Sequence, residues 1–344
     1  MSTHPRYSPR FSPAWFRSTG DAAPSPRFFE PGPTRLQSDH RRVLSALLLA
    51  TALSLGAAKL SALIISGGTT SANQRFSGTF PTAPTANSSF QFSSFDFSGV
   101  GWQTASSAFG VTLISPQEYL TAAHVAPAAG STVTFLGADN VLHTYTVAST
   151  TAVTLPLNGA TTDLVVGRLT APISPSDRVA FYPTLVLSSF NAYLNLPVVM
   201  YGQTGVVGTN NVQTFFVNVD VLPFGTAPDG TADSILLSTQ FDAITGEAQA
   251  QGGDSGSPTF IIASGQLALV GVHSAINGAP PPELTLDSFV PSFYSQINSV
   301  LNGDGYTFGA LTAVPEPGTT ALLAGLAASG VIAWRRRTSL VTRV

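Results

Sequence analysis

Gly252-Gly253-Asp254-Ser255-Gly256-Ser257-Pro258 is the stretch from which the rest of the chain can be read. A serine hydroxyl is a poor nucleophile at neutral pH until a base takes its proton. Gly253 and Gly256 flank the Asp254-Ser255 pair and leave the backbone free to turn sharply. Such a turn can direct the N–H groups of Gly253 and Ser255 to one point, where a developing oxyanion would be held. Asp254 adds a carboxylate that needs partners if it is buried. The same residues would also make an ordinary polar turn between two strands. Two further segments decide between these readings.

The first is Leu120-Thr121-Ala122-Ala123-His124-Val125, preceded by Gly110-Val111-Thr112-Leu113-Ile114-Ser115. The second is Thr162-Asp163-Leu164-Val165-Val166-Gly167-Arg168-Leu169. Together with Gly-Asp-Ser-Gly they resemble the chymotrypsin/trypsin-like serine proteases around their catalytic histidine, aspartate and serine. The order His124, Asp163, Ser255 is the order of that family, whereas subtilisins and α/β-hydrolases use others. The spacings, 39 and then 92 residues, are also similar to it, and the resemblance spans Phe95 to Leu301. It implies an all-β fold: two six-stranded antiparallel β-barrels, chymotrypsin-like, with a short C-terminal helix and the active site between the barrels. It implies His124 as general base, Asp163 as the group that orients it and Ser255 as nucleophile. Gly253 and Ser255 would then form the oxyanion hole, and the partner would be a protein or peptide substrate. Each residue also has a plain alternative: a core histidine, a strand-opening aspartate and a turn serine.

The resemblance further places a substrate pocket. Its floor would be Gln249, six residues before the nucleophile, and one wall would be Ser274-Ala275-Ile276, with Ser274 on the edge that pairs with substrate backbone. Gln249 is neutral, so a buried substrate cation would lack a full counter-charge, and a branched Ile276 would narrow the mouth. The expectation is a preference for small or medium apolar side chains. His143 and His273 fall in strand patterns and read as structural. Asn302-Gly303-Asp304-Gly305 lacks the late glutamate of a calcium loop and reads as a turn. No zinc-type His/Cys cluster and no phosphate-cradling loop occurs, so neither metal nor cofactor is expected.

Composition agrees with an all-β domain. Charged residues make up only 10% of the chain, and Thr, Val, Phe and Gly recur in short runs between turns. Alternating residues around Gly137-Ala138-Asp139-Asn140 signal a hairpin. Val290, Phe293, Ile297 and Val300 fall at helical spacing. Between Leu63 and Ala313 stand three Arg, no Lys and 14 Asp or Glu, a net charge of −11 that argues against nucleic-acid binding. The chain has no cysteine, and Val125 and Gln251 occupy places where the related proteases often have one. The fold must therefore stand on its apolar core, which a domain of this size can supply.

The two ends read differently. Residues 1–42 are basic and Pro-rich, without apolar periodicity, and form an N-terminal extension. Residues 43–62 follow Arg41-Arg42 with an apolar run and small residues, the parts of a signal peptide, cleavable by signal peptidase after Ala58 or Ala62. An uncleaved membrane helix is the alternative. Residues 63–94 read as an irregular N-terminal arm, and residues 95–313 as the peptidase domain, its two lobes meeting near 180–190. Within the arm, Ile64-Ile65-Ser66-Gly67-Gly68 resembles the new N-terminus of activated trypsins, whose freed amine pairs with the aspartate before the nucleophile, here Asp254.

Residues 314–344 carry Val314-Pro315-Glu316-Pro317, an apolar run from Thr319 to Trp334, and Arg335-Arg336-Arg337. This is similar to the PEP-CTERM sorting signal of Gram-negative bacteria, which an exosortase recognises and removes. The three Arg would hold the end of a transient transmembrane helix on the cytoplasmic side. A permanent anchor is the alternative. The destination is the cell surface or the medium. Two rival functions share these features: a catalytically silent protease homologue, and a surface or adhesion protein associated with exopolysaccharide. The sequence says nothing of oligomeric state.

Overall fold

Six strands between Val100 and Leu169 close on themselves. The computed structural model describes residues 63–106, 109–156, 159–219, 234–277 and 283–312, and within it these strands form the first barrel. The expected extension, signal peptide and sorting segment, with its transmembrane run, lie outside the described residues. Counting β1 (Ile64–Ile65), β2 (Phe76–Thr79) and β3 (Ala83–Ala86) in the arm, the barrel strands are β4 (Val100–Gln103), β5 (Gly110–Leu113), β6 (Glu118–Thr121), β7 (Thr132–Leu136), β8 (Leu142–Thr154) and β9 (Thr161–Leu169). Their order is β4-β5-β6-β9-β8-β7, closed by Trp102 pairing with Thr134. All pairings are antiparallel, and β7 and β8 form the hairpin that the sequence signals. Alternation places Val111, Leu113, Val133, Phe135, Val147 and Leu169 in one buried cluster, so closure removes both sheet edges and fills the interior.

Residues 170–196 cross to the second barrel and include β10 (Thr184–Leu185). That barrel consists of β11 (Pro197–Tyr201), β12 (Val207–Val219), β13 (Ser234–Phe241), β15 (Pro258–Ala263), β16 (Gln266–Asn277) and β17 (Glu283–Phe289), while β14 (Ala248–Gln249) lies apart. Its order is β11-β12-β13-β17-β16-β15, and β15 returns to β11. β10 and β18 (Ala310–Leu311) add to it in parallel beside β16. The predicted C-terminal helix is a 3₁₀ turn, Val290–Phe293, continuing into an α-helix, Tyr294–Leu301. Its Ile297 and Leu301 are buried in a cluster that also takes Leu120 and Leu164 from the first barrel and Phe260 and Leu269 from the second. One continuous core thus joins both barrels and the helix. Among the described residues no helix is long and apolar enough to cross a membrane.

The arm is more ordered than its composition suggests. β1 pairs with β14, β2 and β3 form a hairpin, and a short helix spans Thr70–Asn73. The reason lies in Arg75, which is buried. Its Nη1 donates to the Val100 carbonyl (3.0 Å) and the Tyr201 hydroxyl (3.1 Å), and its Nη2 to the Leu136 carbonyl (3.0 Å). The guanidinium also lies 4.7 Å from the centroid of the Phe76 ring. One side chain of the arm therefore ties β4 and β7 of the first barrel to β11 of the second.

Glu118 makes a second tie. It is buried in β6, accepts a hydrogen bond from Ser115 and lies near Asp304, which bridges to Arg168 at 2.8 Å. Burial, more than the opposing Ser115 bond and the Arg168 charge, pushes its carboxyl up from 4.5 to about 6. A raised acid favours the folded state only while protonated, so this contribution is complete below about pH 4.5 and lost as pH rises through about 6. Glu118→Gln should therefore melt at a higher temperature than the wild type above pH 6, and the difference should vanish by about pH 4. Thermal unfolding followed by circular dichroism across this range checks it.

Candidate active site

The three sequence motifs meet in the cleft between the barrels. His124 sits in a 3₁₀ turn, Ala123–Val125, directly after β6. Asp163 opens the apolar part of β9, which pairs with β6. Ser255 lies in the turn between β14 and β15 of the second barrel. The His124 Nδ1 is 3.0 and 2.9 Å from the two Asp163 carboxylate oxygens, and the His124 backbone N–H donates to Oδ1 at 3.0 Å. On the other side of the ring, Nε2 is 3.0 Å from the Ser255 Oγ. With Nδ1–H donated to the carboxylate, the lone pair of Nε2 faces the hydroxyl, as proton removal requires. The Ser274 hydroxyl also donates to Asp163 Oδ2, so the carboxylate is held from both barrels.

The turn that presents Ser255 is bound on every side. Inside it, Asp254 N–H donates to Gln251 O and Ser257 N–H to Asp254 O, both at 3.0 Å. Gly110 of the first barrel donates to Ser255 O at 3.1 Å, and Gly256 donates to His273 O of the second at 2.9 Å. Gly253 has φ 106° and Gly256 φ 80°, values that side chains strain to reach. Among the described residues neither the Gly253 nor the Ser255 N–H is given to another group, so both stay available beside the hydroxyl.

Asp254 is wholly buried. Its Oδ1 accepts from Gln203 N–H and its Oδ2 from Gln251 N–H, both at 2.7 Å. Burial pushes its carboxyl up to about 6, against the His273 charge and these two hydrogen bonds. Gly202 leaves room beside it: a Cβ there would stand 2.8 Å from Asp254 Oδ1 and 3.1 Å from the backbone nitrogen of Leu63. The backbone nitrogen of Leu63 and the buried carboxylate thus both border Gly202, and Ile64 pairs with Gln249 one residue on.

A cavity adjoins Ser255. Ser274, Ala275 and Ile276 form one wall together with Ala250 and Gln251. Gln249 does not line it; buried in β14 opposite Ile64, it is held away by strand pairing that an offset along the chain does not show. His273 borders the same cavity, with its ring buried and its Nδ1 2.6 Å from Asp287 Oδ1. His143 lies elsewhere, between Asp139 (3.5 Å) and Asp177 (3.7 Å). Asn302-Gly303-Asp304-Gly305 forms a turn. No group of three metal-ligating side chains occurs among the described residues.

With this geometry in place, the comparisons fall on it. The Trypsin family matches residues 84–302, and the PEP-CTERM protein-sorting motif matches residues 313–337. The chain belongs to the trypsin family and ends in a PEP-CTERM sorting motif. No curated protein matches it. A solved structure titled "Atomic resolution structure of HBP" is similar at 19% identity and a TM-score of 0.43, covering 60% of this chain and 92% of that one.

The glycines flanking Ser255 differ in what they tolerate. A Cβ on Gly256 would stand 2.4 Å from the Gly110 carbonyl and from Thr121 Oγ1, at a strained φ, whereas one on Gly252 meets nothing. Gly256→Ala should lower the melting temperature by about 5 °C or more, and Gly252→Ala by less than about 2 °C. Differential scanning calorimetry of the pair measures the contrast.

Proposed function

We propose that the chain is an exported serine endopeptidase that hydrolyses peptide bonds through an acyl-enzyme. The observation that carries this is the unbroken line from Asp163 through His124 to the Ser255 hydroxyl. As the Ser255 Oγ attacks the scissile carbonyl, His124 Nε2 takes its proton, and Asp163 stabilises the imidazolium that results. The negative charge that moves onto the carbonyl oxygen is met by the N–H groups of Gly253 and Ser255. The leaving amine collects the proton from His124, and water then repeats the sequence to free the enzyme.

Membership of the trypsin family supports this reading, and the sorting motif supports delivery to the surface of a Gram-negative cell, with exosortase and signal peptidase as processing partners. Cleavage after Ala62 would leave the amine of Leu63 beside the buried Asp254, where a cation would offset the cost of that charge.

Ser255→Ala and His124→Ala should each lower kcat by about 10⁶-fold, and Asp163→Asn by about 10⁴-fold, without unfolding the domain. Labelling of Ser255 by a fluorophosphonate probe, lost in Ser255→Ala, is the direct test. Absence of both labelling and peptide hydrolysis in the wild type would point to the silent or adhesive alternatives instead, and hydrolysis undiminished in Ser255→Ala would overturn Ser255 as the nucleophile. Protein from the native host should also lack the segment beyond about Pro317; an intact mass that still includes Arg335 to Val344 would mean a permanent anchor.

A further inference from the structure

A cavity of about 390 Å³ lies away from Ser255, between the N-terminal arm and the β7–β8 hairpin. It shares no residue with the cavity beside Ser255. Phe90, Phe97 and Leu136 in its lining are buried, whereas Asp96 is exposed. A space of this size with an apolar interior and a few polar groups is the usual form of a small-molecule site.

Arg75 is the one cation in that lining. Three of its N–H groups are given to the Val100 carbonyl, the Tyr201 hydroxyl and the Leu136 carbonyl, the bonds that clasp the barrels. The Nε–H and the second N–H of Nη2 have no partner among the described residues. No carboxylate stands within ion-pair distance of the guanidinium there either. A buried cation with spare donors and no counter-charge costs stability until an anion meets it.

We propose that this cavity binds the carboxylate of a small apolar acid, either free or at the C-terminus of a peptide, with Arg75 as the anchoring cation. Two spare donors on a planar guanidinium suit the two oxygens of a carboxylate. Phe90, Phe97 and Leu136 offer an apolar body a place that a bare inorganic anion would leave to water. Asp96 argues against a phosphate ester. Its Oδ1 accepts from the Ser98 N–H at 2.8 Å, which holds its charge beside the cavity, and that charge repels a dianion more than a single carboxylate. An amine is excluded in turn by Arg75. The three bonds of the clasp stay as they are, so the acid is an addition to the fold and independent of the peptidase reading.

Calorimetric titration of the purified, exported protein with phenylacetate and with phenylacetamide tests this. The two ligands differ only in the carboxylate. The acid should bind more tightly than the amide by about tenfold or more. Asp96→Asn keeps an oxygen for the Ser98 N–H and removes a like charge, so it should tighten the acid by about threefold and leave the amide unchanged. Arg75→Lys should weaken the acid by about tenfold. N-acetylphenylalanine separates the two sources: binding as tight as phenylacetate or tighter assigns a peptide C-terminus, and weaker binding assigns a free acid. No binding of either acid would mean that water alone fills the cavity and would overturn the proposal. Equal affinity for acid and amide, an affinity for the acid unmoved by Asp96→Asn, or one unmoved in a folded Arg75→Lys would each do the same. Should Arg75→Lys fail to fold, the acid–amide comparison and Asp96→Asn decide alone.

Discussion

A carboxylate with no water around it governs the neighbourhood of Ser255. Asp254 is fully buried, and charge at such a site is tolerated only if hydrogen bonds replace its hydration. They come from two segments, Gln203 after β11 and Gln251 in its own turn. Both approaches need space and an unusual backbone, which explains the missing side chain at Gly202 and the φ of 106° at Gly253. The next residue inherits that rigidity. Ser255 is aimed by the demand of its neighbour's charge as much as by any contact of its own.

The alignment of hydroxyl, imidazole and carboxylate also depends on how the barrels pack. His124 and Asp163 come from the first barrel, and Ser255 and Ser274 from the second. Between them lies the shared core, where Phe260 meets Tyr182 with ring centroids 4.8 Å apart and Phe97 at 6.1 Å. Aromatic contacts of this kind hold a specific relative position as well as burying area. Stability of the joint and geometry of the site are therefore one property.

Much of this was legible in the sequence, and the parts that were not share a cause. His124, Asp163 and Ser255 stand in short motifs that resemble those of the trypsin-like proteases, so their order could be read from the motifs. The hairpin around Asp139 was legible from alternation and the helix ending at Leu301 from apolar spacing. Gln249 was misleading because the direction of a side chain follows from strand pairing, and Gln249 pairs with Ile64, 185 positions earlier. The order of the arm was hidden because its composition is polar and its anchor is a single residue, Arg75, whose partners Val100, Leu136 and Tyr201 are remote in sequence.

That anchor differs in kind from the other ties. A guanidinium stays charged at every pH a protein survives, and among the described residues Arg75 has no carboxylate within ion-pair distance. Its acceptors are carbonyls, a phenol and ring faces. Salt loosens exposed ion pairs by screening and acid loosens carboxylate contacts by protonation, but neither lever acts on a buried cation held by neutral dipoles. A protein delivered outside the cell cannot choose its ionic surroundings, and the clasp between its two barrels is built from groups that do not register them.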